Sequence, residues 1–150
     1  MRRVPPRPDA LTQVTRLLAA TDKTRAQLGE ALGRRGYPRA EIEDALERAS
    51  ALGYLDDGRV ARRRAQADLR AGWAGEALLS RLTAAGLDEA TGRAAVRDAI
   101  AEAGWTPLAA ARALVAARQL RGAKAARFLA SRGFEEDVVE RVIGSEGGDG

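Results

Sequence analysis

The sequence predicts an all-α protein: three tandem three-helix units forming an elongated, curved helical-repeat module. Three observations carry that expectation. A helix-and-stop pattern occurs three times, as Leu28-x3-Leu32-x3-Gly36-Tyr37, Leu78-x3-Leu82-x3-Gly86-Leu87 and Ala125-x3-Leu129-x3-Gly133-Phe134, with the glycines 50 and then 47 residues apart. Each copy is followed by a further helical pattern: Ile42, Ala45 and Leu46, then Ala95 and Val96, then Val139, Val142 and Ile143. The middle copy carries Gly92 where the others have a bulky residue. Strand signals are essentially missing from the 150 residues. A period near 50 residues is that of a helical array, in which each unit buries its apolar faces against its neighbours.

The elements follow in order. Pro5, Pro6 and Pro8 mark residues 1–9 as a flexible leader. The first unit, 10–55, opens with a helix over about Ala10–Ala20. Thr24 and Gln27 then form a capping box for a helix with Leu28 and Leu32 inward. Arg34 and Arg35 meet the negative pole of that helix, and Gly36 ends it in the left-handed region. Pro38 opens the third helix, whose buried face holds Ile42, Ala45, Leu46, Ala49 and Leu52. The second unit, 56–104, begins at Asp56 and Asp57, either of which caps a helix from Gly58 to about Arg70. Gly72-Trp73-Ala74-Gly75 is a turn. A helix with Leu78, Leu79 and Leu82 follows, and Asp88 caps another reaching about Ala103. The third unit, 105–143, opens at Thr106-Pro107, with a first helix to about Leu120, broken at Gly122. Helices over Ala123–Arg132 and Glu135–Ile143 complete it. The polar tail, 144–150, is expected to be disordered.

Composition removes several functions. The chain has no cysteine and no histidine, which excludes disulfides, thiolate nucleophiles and histidine acid–base chemistry and leaves few metal ligands. No catalysis, cofactor or metal is expected. A cysteine-free chain fits a reducing cytoplasm, and neither a signal peptide nor a membrane span is evident.

Charge points to a partner. Residues 1–57 carry a net +1 and residues 58–104 a net +2. Residues 105–134 carry six basic and no acidic side chains, and residues 135–150 a net −5. Thirty residues without a carboxylate suit a polyanion. Two clusters are candidate DNA- or filament-binding residues. On the helix from Arg59, the side chains of Arg59, Arg63, Gln66 and Arg70 lie within about 60° of one another, opposite Ala61, Ala65 and Leu69, with Arg62 and Arg64 flanking. In the third unit the candidates are Arg112, Arg118, Arg121, Lys124, Arg127 and Arg132. For both clusters a phosphate-binding face and a solvated face stay open. Tyr37 and Phe134, each after a repeat glycine, read as core pegs. Trp73, on its turn, suits packing or base stacking.

With the units laid out, the chain resembles the RecX-type regulatory proteins, a family that modulates the RecA recombinase. The resemblance rests on Leu52-Gly53-Tyr54-Leu55-Asp56-Asp57, on the Gly72 turn with its leucine-rich helix and Ala85-Gly86-Leu87, and on Lys124–Phe134 with Arg132-Gly133-Phe134 and Val138-Val139. It covers roughly residues 10–143. Two departures are Val60, where relatives have a bulky aromatic, and Gly75, Glu76 and Ala77, where they tend to have proline and basic residues. The resemblance implies a monomer in the groove of the RecA–DNA filament that hinders ATP-linked activity and strand exchange. A stand-alone DNA-binding transcriptional regulator is the alternative, and its partner would be duplex DNA.

Overall fold

Side-chain caps set where four of the helices begin. The computed structural model describes residues 6–145, and among these every regular element is a helix: α1 (Ala10–Ala20), α2 (Arg25–Arg34), α3 (Arg39–Ala51), α4 (Asp57–Arg70), α5 (Gly75–Ala84), α6 (Glu89–Ala103), α7 (Pro107–Ala117), α8 (Gly122–Ser131) and α9 (Glu136–Gly144). The expectations for residues 1–5 and 146–150 fall outside the described residues. The Asp9 carboxylate accepts from the Thr12 amide, and Asp88 accepts from the Thr91 amide. At α2 the expected capping box is complete: the Gln27 amide donates to Thr24 Oγ1 (3.1 Å) and the Thr24 amide to Gln27 Oε1 (3.0 Å).

Hydrogen bonds from Thr91, first its amide and then its hydroxyl, hold the Asp88 carboxyl below its ordinary value. A depressed folded-state pKa contributes stability that is fully present above the unfolded value and is lost as pH falls through the folded one. Asp88→Asn keeps a good cap but removes that titration. The acid limb of its stability profile, followed by circular dichroism, is expected to be shallower than wild type, with neutral-pH stability unchanged.

Helix ends are set by glycine and the aromatic after it. Gly36, Gly53, Gly72, Gly104 and Gly133 have φ between 59° and 97°, and Tyr37, Tyr54, Trp73, Trp105 and Phe134 follow them directly. In each case the aromatic's amide donates five residues back, to Leu32, Ala49, Asp68, Ile100 and Leu129 respectively. This is the six-to-one closure of a Schellman turn, which brings the aromatic onto its own helix. Tyr37 and Phe134 are buried, as expected of core pegs. Tyr54 is not: it and Leu52 are 51% and 57% exposed. Leu52 was expected on the buried face of α3. It is instead the residue after the last helical turn, where the chain reverses.

Several boundaries differ from expectation. Pro38 is the N-cap of α3 and not its first helical residue. The first helix of the third unit stops at Ala117, three residues early, because Gln119 enters the left-handed region (φ 54°) and the Leu120 amide closes on the Val115 carbonyl. Gly122 therefore starts α8 and does not break α7.

The chain divides into two compact units, residues 1–60 with 85–87, and residues 61–84 with 88–150. In the first, α1, α2 and α3 pack on one another around Val14, Leu28, Leu32, Tyr37, Ala45, Leu46 and Ala49. In the second, α5 packs on α6 and α7, α8 and α9 pack mutually. Ala111, Val115, Ala125, Leu129, Phe134, Val139 and Val142 form a cluster there, joined by Ala74.

Each unit contains one instance of the same docking event. In the first, the turn carrying Gly86 lies against the start of α2: Thr24 Oγ1 donates to the Ala85 carbonyl (2.6 Å), and a Cβ on Gly86 would fall 2.5 Å from Ala26 Cβ. In the second, the turn carrying Gly133 lies against the start of α5. There the Ala74 amide donates to the Arg132 carbonyl (2.8 Å), and a Cβ on Gly133 would fall 2.0 Å from the Ala74 carbonyl oxygen. Thr24 and Ala74 hold the same repeat position, as do Ala85 and Arg132. At the first copy of the turn, Arg7 takes this place. Its guanidinium donates to the Arg35 carbonyl (2.9 Å) and lies 3.9 Å over the Tyr37 ring, while Tyr37 Oη donates to the Pro8 carbonyl. The end of the leader thus covers a turn that the other copies cover with a helix N-terminus.

Candidate polyanion-binding surface

The two adjacent aspartates divide their work, a distribution that sequence reasoning left open. Asp56 accepts from the Arg59 amide (3.1 Å) and caps α4. Asp57 reaches across to accept from the Arg25 amide at the start of α2 (2.8 Å). Both are occupied as caps. Among the described residues no group of three or more metal-ligating side chains comes together, and no helix is long and apolar enough to cross a membrane.

The α4 arginines do not behave alike. Ala61, Ala65 and Leu69 are buried, so the opposite side of the helix faces outward as the pattern predicted. Arg59 belongs to the first compact unit and Arg63 and Arg70 to the second. The Arg59 guanidinium reaches the Tyr54 carbonyl at 3.5 Å, Arg63 is engaged by a neighbour, and Gln66 donates to Glu102 (3.0 Å). Arg70 is exposed. The stripe is thus partly tied into the fold.

The third-unit cluster differs sharply in electrostatics. Upstream, arginines meet acids: Arg39 with Glu43, Arg81 with Asp68, and Arg93 with Glu89 and Glu76. Glu76, beside the Trp73 turn, thus has a cationic neighbour in Arg93. From Arg112 to Arg132 none of the six cations pairs with a carboxylate among the described residues. Arg112, Arg118, Arg121, Lys124 and Arg127 are exposed. Arg112 and Arg121 share the wall of a groove of about 700 Å³ with Val115, Gln119 and Leu120. Arg121 is the N-cap of α8 but makes no side-chain capping bond, so its guanidinium stays available.

Arg118 and Arg132, two of the candidate binding residues, lie against aromatic rings. Arg118 lies over Phe128 at 4.6 Å. Arg132, half-buried, lies over Phe128 at 5.0 Å and over Trp73 at 4.4 Å. Arg81 completes the row, 4.5 Å over Trp73. Sequence reasoning missed Arg81 and Phe128. The i, i+4 spacing of Phe128 and Arg132 was the only local signal, because Trp73 and Arg81 reach them only through tertiary contact.

Comparison with known proteins agrees with this architecture. The family model described as RecX, first three-helix domain, matches residues 10–48. The chain is 36% identical over 143 residues to the protein named Regulatory protein RecX of Thermobifida fusca, covering 87% of this chain and 75% of that one. It is 31% identical over 147 residues to the protein of that name in Acidithiobacillus ferrooxidans, covering 93% and 91%. With that of Syntrophotalea carbinolica it shares 38% identity over 94 residues, covering 62% of this chain and 61% of the relative. Identity of this extent, carried over nearly the whole helical array, makes this chain a member of the RecX family of regulatory proteins.

Proposed function

We propose that this protein is a non-catalytic regulator that binds the RecA–DNA filament as a cytoplasmic monomer and inhibits its ATPase and strand exchange. In this reading three units, 10–55, 56–104 and 105–143, contact successive positions of a repetitive partner. Linked weak contacts then raise overall binding through effective concentration. The observation that carries the reading is the cation cluster from Arg112 to Arg132, six basic side chains in a stretch without acids that pair with no carboxylate among the described residues. Unpaired cations release counterions from a phosphate backbone without first breaking ion pairs of their own. Arg59, Arg63 and Arg70 on α4 are the second set of proposed contacts.

RecA ATPase and strand exchange, measured with and without the protein, test the reading. Both are expected to fall as it is added. Changing Arg121, Lys124 and Arg127 together to alanine is expected to reduce the slope of log affinity for single-stranded DNA against log salt by about 2. The inhibitory concentration should rise in parallel. Helicity should not change, because among the described residues none of the three side chains makes a hydrogen bond or ion pair: Arg121 makes no side-chain capping bond, and all three are exposed. An unaltered salt slope with unaltered inhibition would reduce the cluster to solvated surface. Sequence-dependent duplex binding with no effect on RecA would instead support the stand-alone regulator.

A further inference from the structure

Four side chains from three segments of the second compact unit extend the row that Arg81 begins. In order it runs Arg81, Trp73, Arg132, Phe128, Arg118, with guanidinium carbons 4.4–5.0 Å from the ring centroids. We infer that this row is a rigid phosphodiester cradle, in which Trp73 and Phe128 position Arg132 and Arg118 for backbone phosphates without contacting bases. The inference rests on the reading that this protein engages DNA.

The chemistry of a guanidinium separates its faces from its edges. Stacking on a ring uses the π-face, while the N–H donors project in the plane and remain available to a phosphate. Among the described residues Arg118 has no other partner, and Arg132 makes one long bond, to the Ala71 carbonyl at 3.5 Å. Arg81 is different: Asp68 takes two of its donors, at 3.1 and 3.3 Å. It therefore anchors Trp73 and leaves the phosphate contacts to the other two. Pinning a long side chain beforehand lowers the entropy lost on binding. The geometry is set from the backbone, because the close approach of Gly133 to Ala74 brings Arg132 to Trp73.

The same contacts compete with any use of Trp73 as a base platform, because its ring already carries two guanidiniums. Binding is thus expected to follow backbone charge and to ignore base identity.

Titration of a dye-labelled oligothymidylate and of an abasic oligonucleotide of equal length tests this. The two are expected to bind with equal affinity. Trp73→Leu and Arg132→Lys each preserve the row's charge and are expected to weaken binding by roughly five- to tenfold with an unchanged salt slope. Arg132→Ala should lower the slope by about 0.7. Arg132→Lys keeps the experiment decisive if Trp73→Leu proves poorly folded. Wild-type affinity in a folded Arg132→Lys would overturn the inference, as would strong preference for the oligothymidylate over its abasic counterpart. So would polyglutamate binding that responds to these variants while DNA binding does not. RecA inhibition measured on the same proteins separates the two claims: inhibition that survives Arg132→Lys at full strength, with DNA affinity unchanged, refutes the cradle and leaves RecA regulation standing.

Discussion

Gly133→Ala is expected to destabilise the second compact unit by about 2–5 kcal/mol, combining left-handed backbone strain with overpacking. Gly133 has φ 96°. An added Cβ would sit 2.0 Å from the Ala74 carbonyl oxygen, 2.7 Å from Ala77 Cβ and 3.0 Å from the Ala74 carbonyl carbon. The obstacle is mostly backbone, which cannot rotate aside as a side chain would. Relief requires parting the two turns, which breaks the bond from the Ala74 amide to the Arg132 carbonyl. Gly53→Ala is the control. Gly53 also has positive φ (79°), but nothing lies within 4 Å of its added Cβ, so only the backbone term of about 1–2 kcal/mol applies. Urea unfolding of both variants checks the difference. Equal losses would mean that the close approach at Gly133 contributes nothing.

Thr24→Val is expected to cost about 2–4 kcal/mol, through a buried polar loss and not a steric one. Thr24 is fully buried, and its hydroxyl has two roles at once. It accepts from the Gln27 amide to cap α2 and donates to the Ala85 carbonyl. Valine keeps the shape but strands both partners away from water, and each unpaired group costs about 1–3 kcal/mol. Thr24→Ser retains the oxygen and loses only a methyl, for about 1 kcal/mol. The comparison isolates the hydroxyl. If serine and valine prove equally destabilising, the hydrogen bonds are not what holds this turn.

Much of the architecture is legible in the sequence because its signals are local. A capping box at Thr24 and Gln27, an N-cap at Asp88 and glycine before an aromatic each specify a helix end within five residues of chain. The apolar spacing of Leu28 and Leu32, or Leu78 and Leu82, specifies a buried face within two turns. The boundary expectations that failed turned on the backbone conformation of single residues at helix ends. Nothing near Gln119 announces a non-glycine left-handed residue, so α7 was read three residues too long. Leu52 continues the apolar spacing of α3 but lies beyond its last turn.

The candidate surface divides along the same line. The stretch without carboxylates from Arg112 to Arg132 is a property of the sequence, and so is membership of an all-helical repeat family. Which of those cations lie against aromatic rings was decided only by tertiary structure. Arg132 and Arg118 are clamped by Trp73 and Phe128, and Trp73 lies 59 residues from Arg132 in the sequence. Asp57 serves α2, 32 residues away, while its neighbour Asp56 serves its own helix. Helix periodicity and capping arise from interactions over three to five residues. Stacking and cross-turn capping require two remote segments to be brought together by backbone packing, which no local pattern encodes.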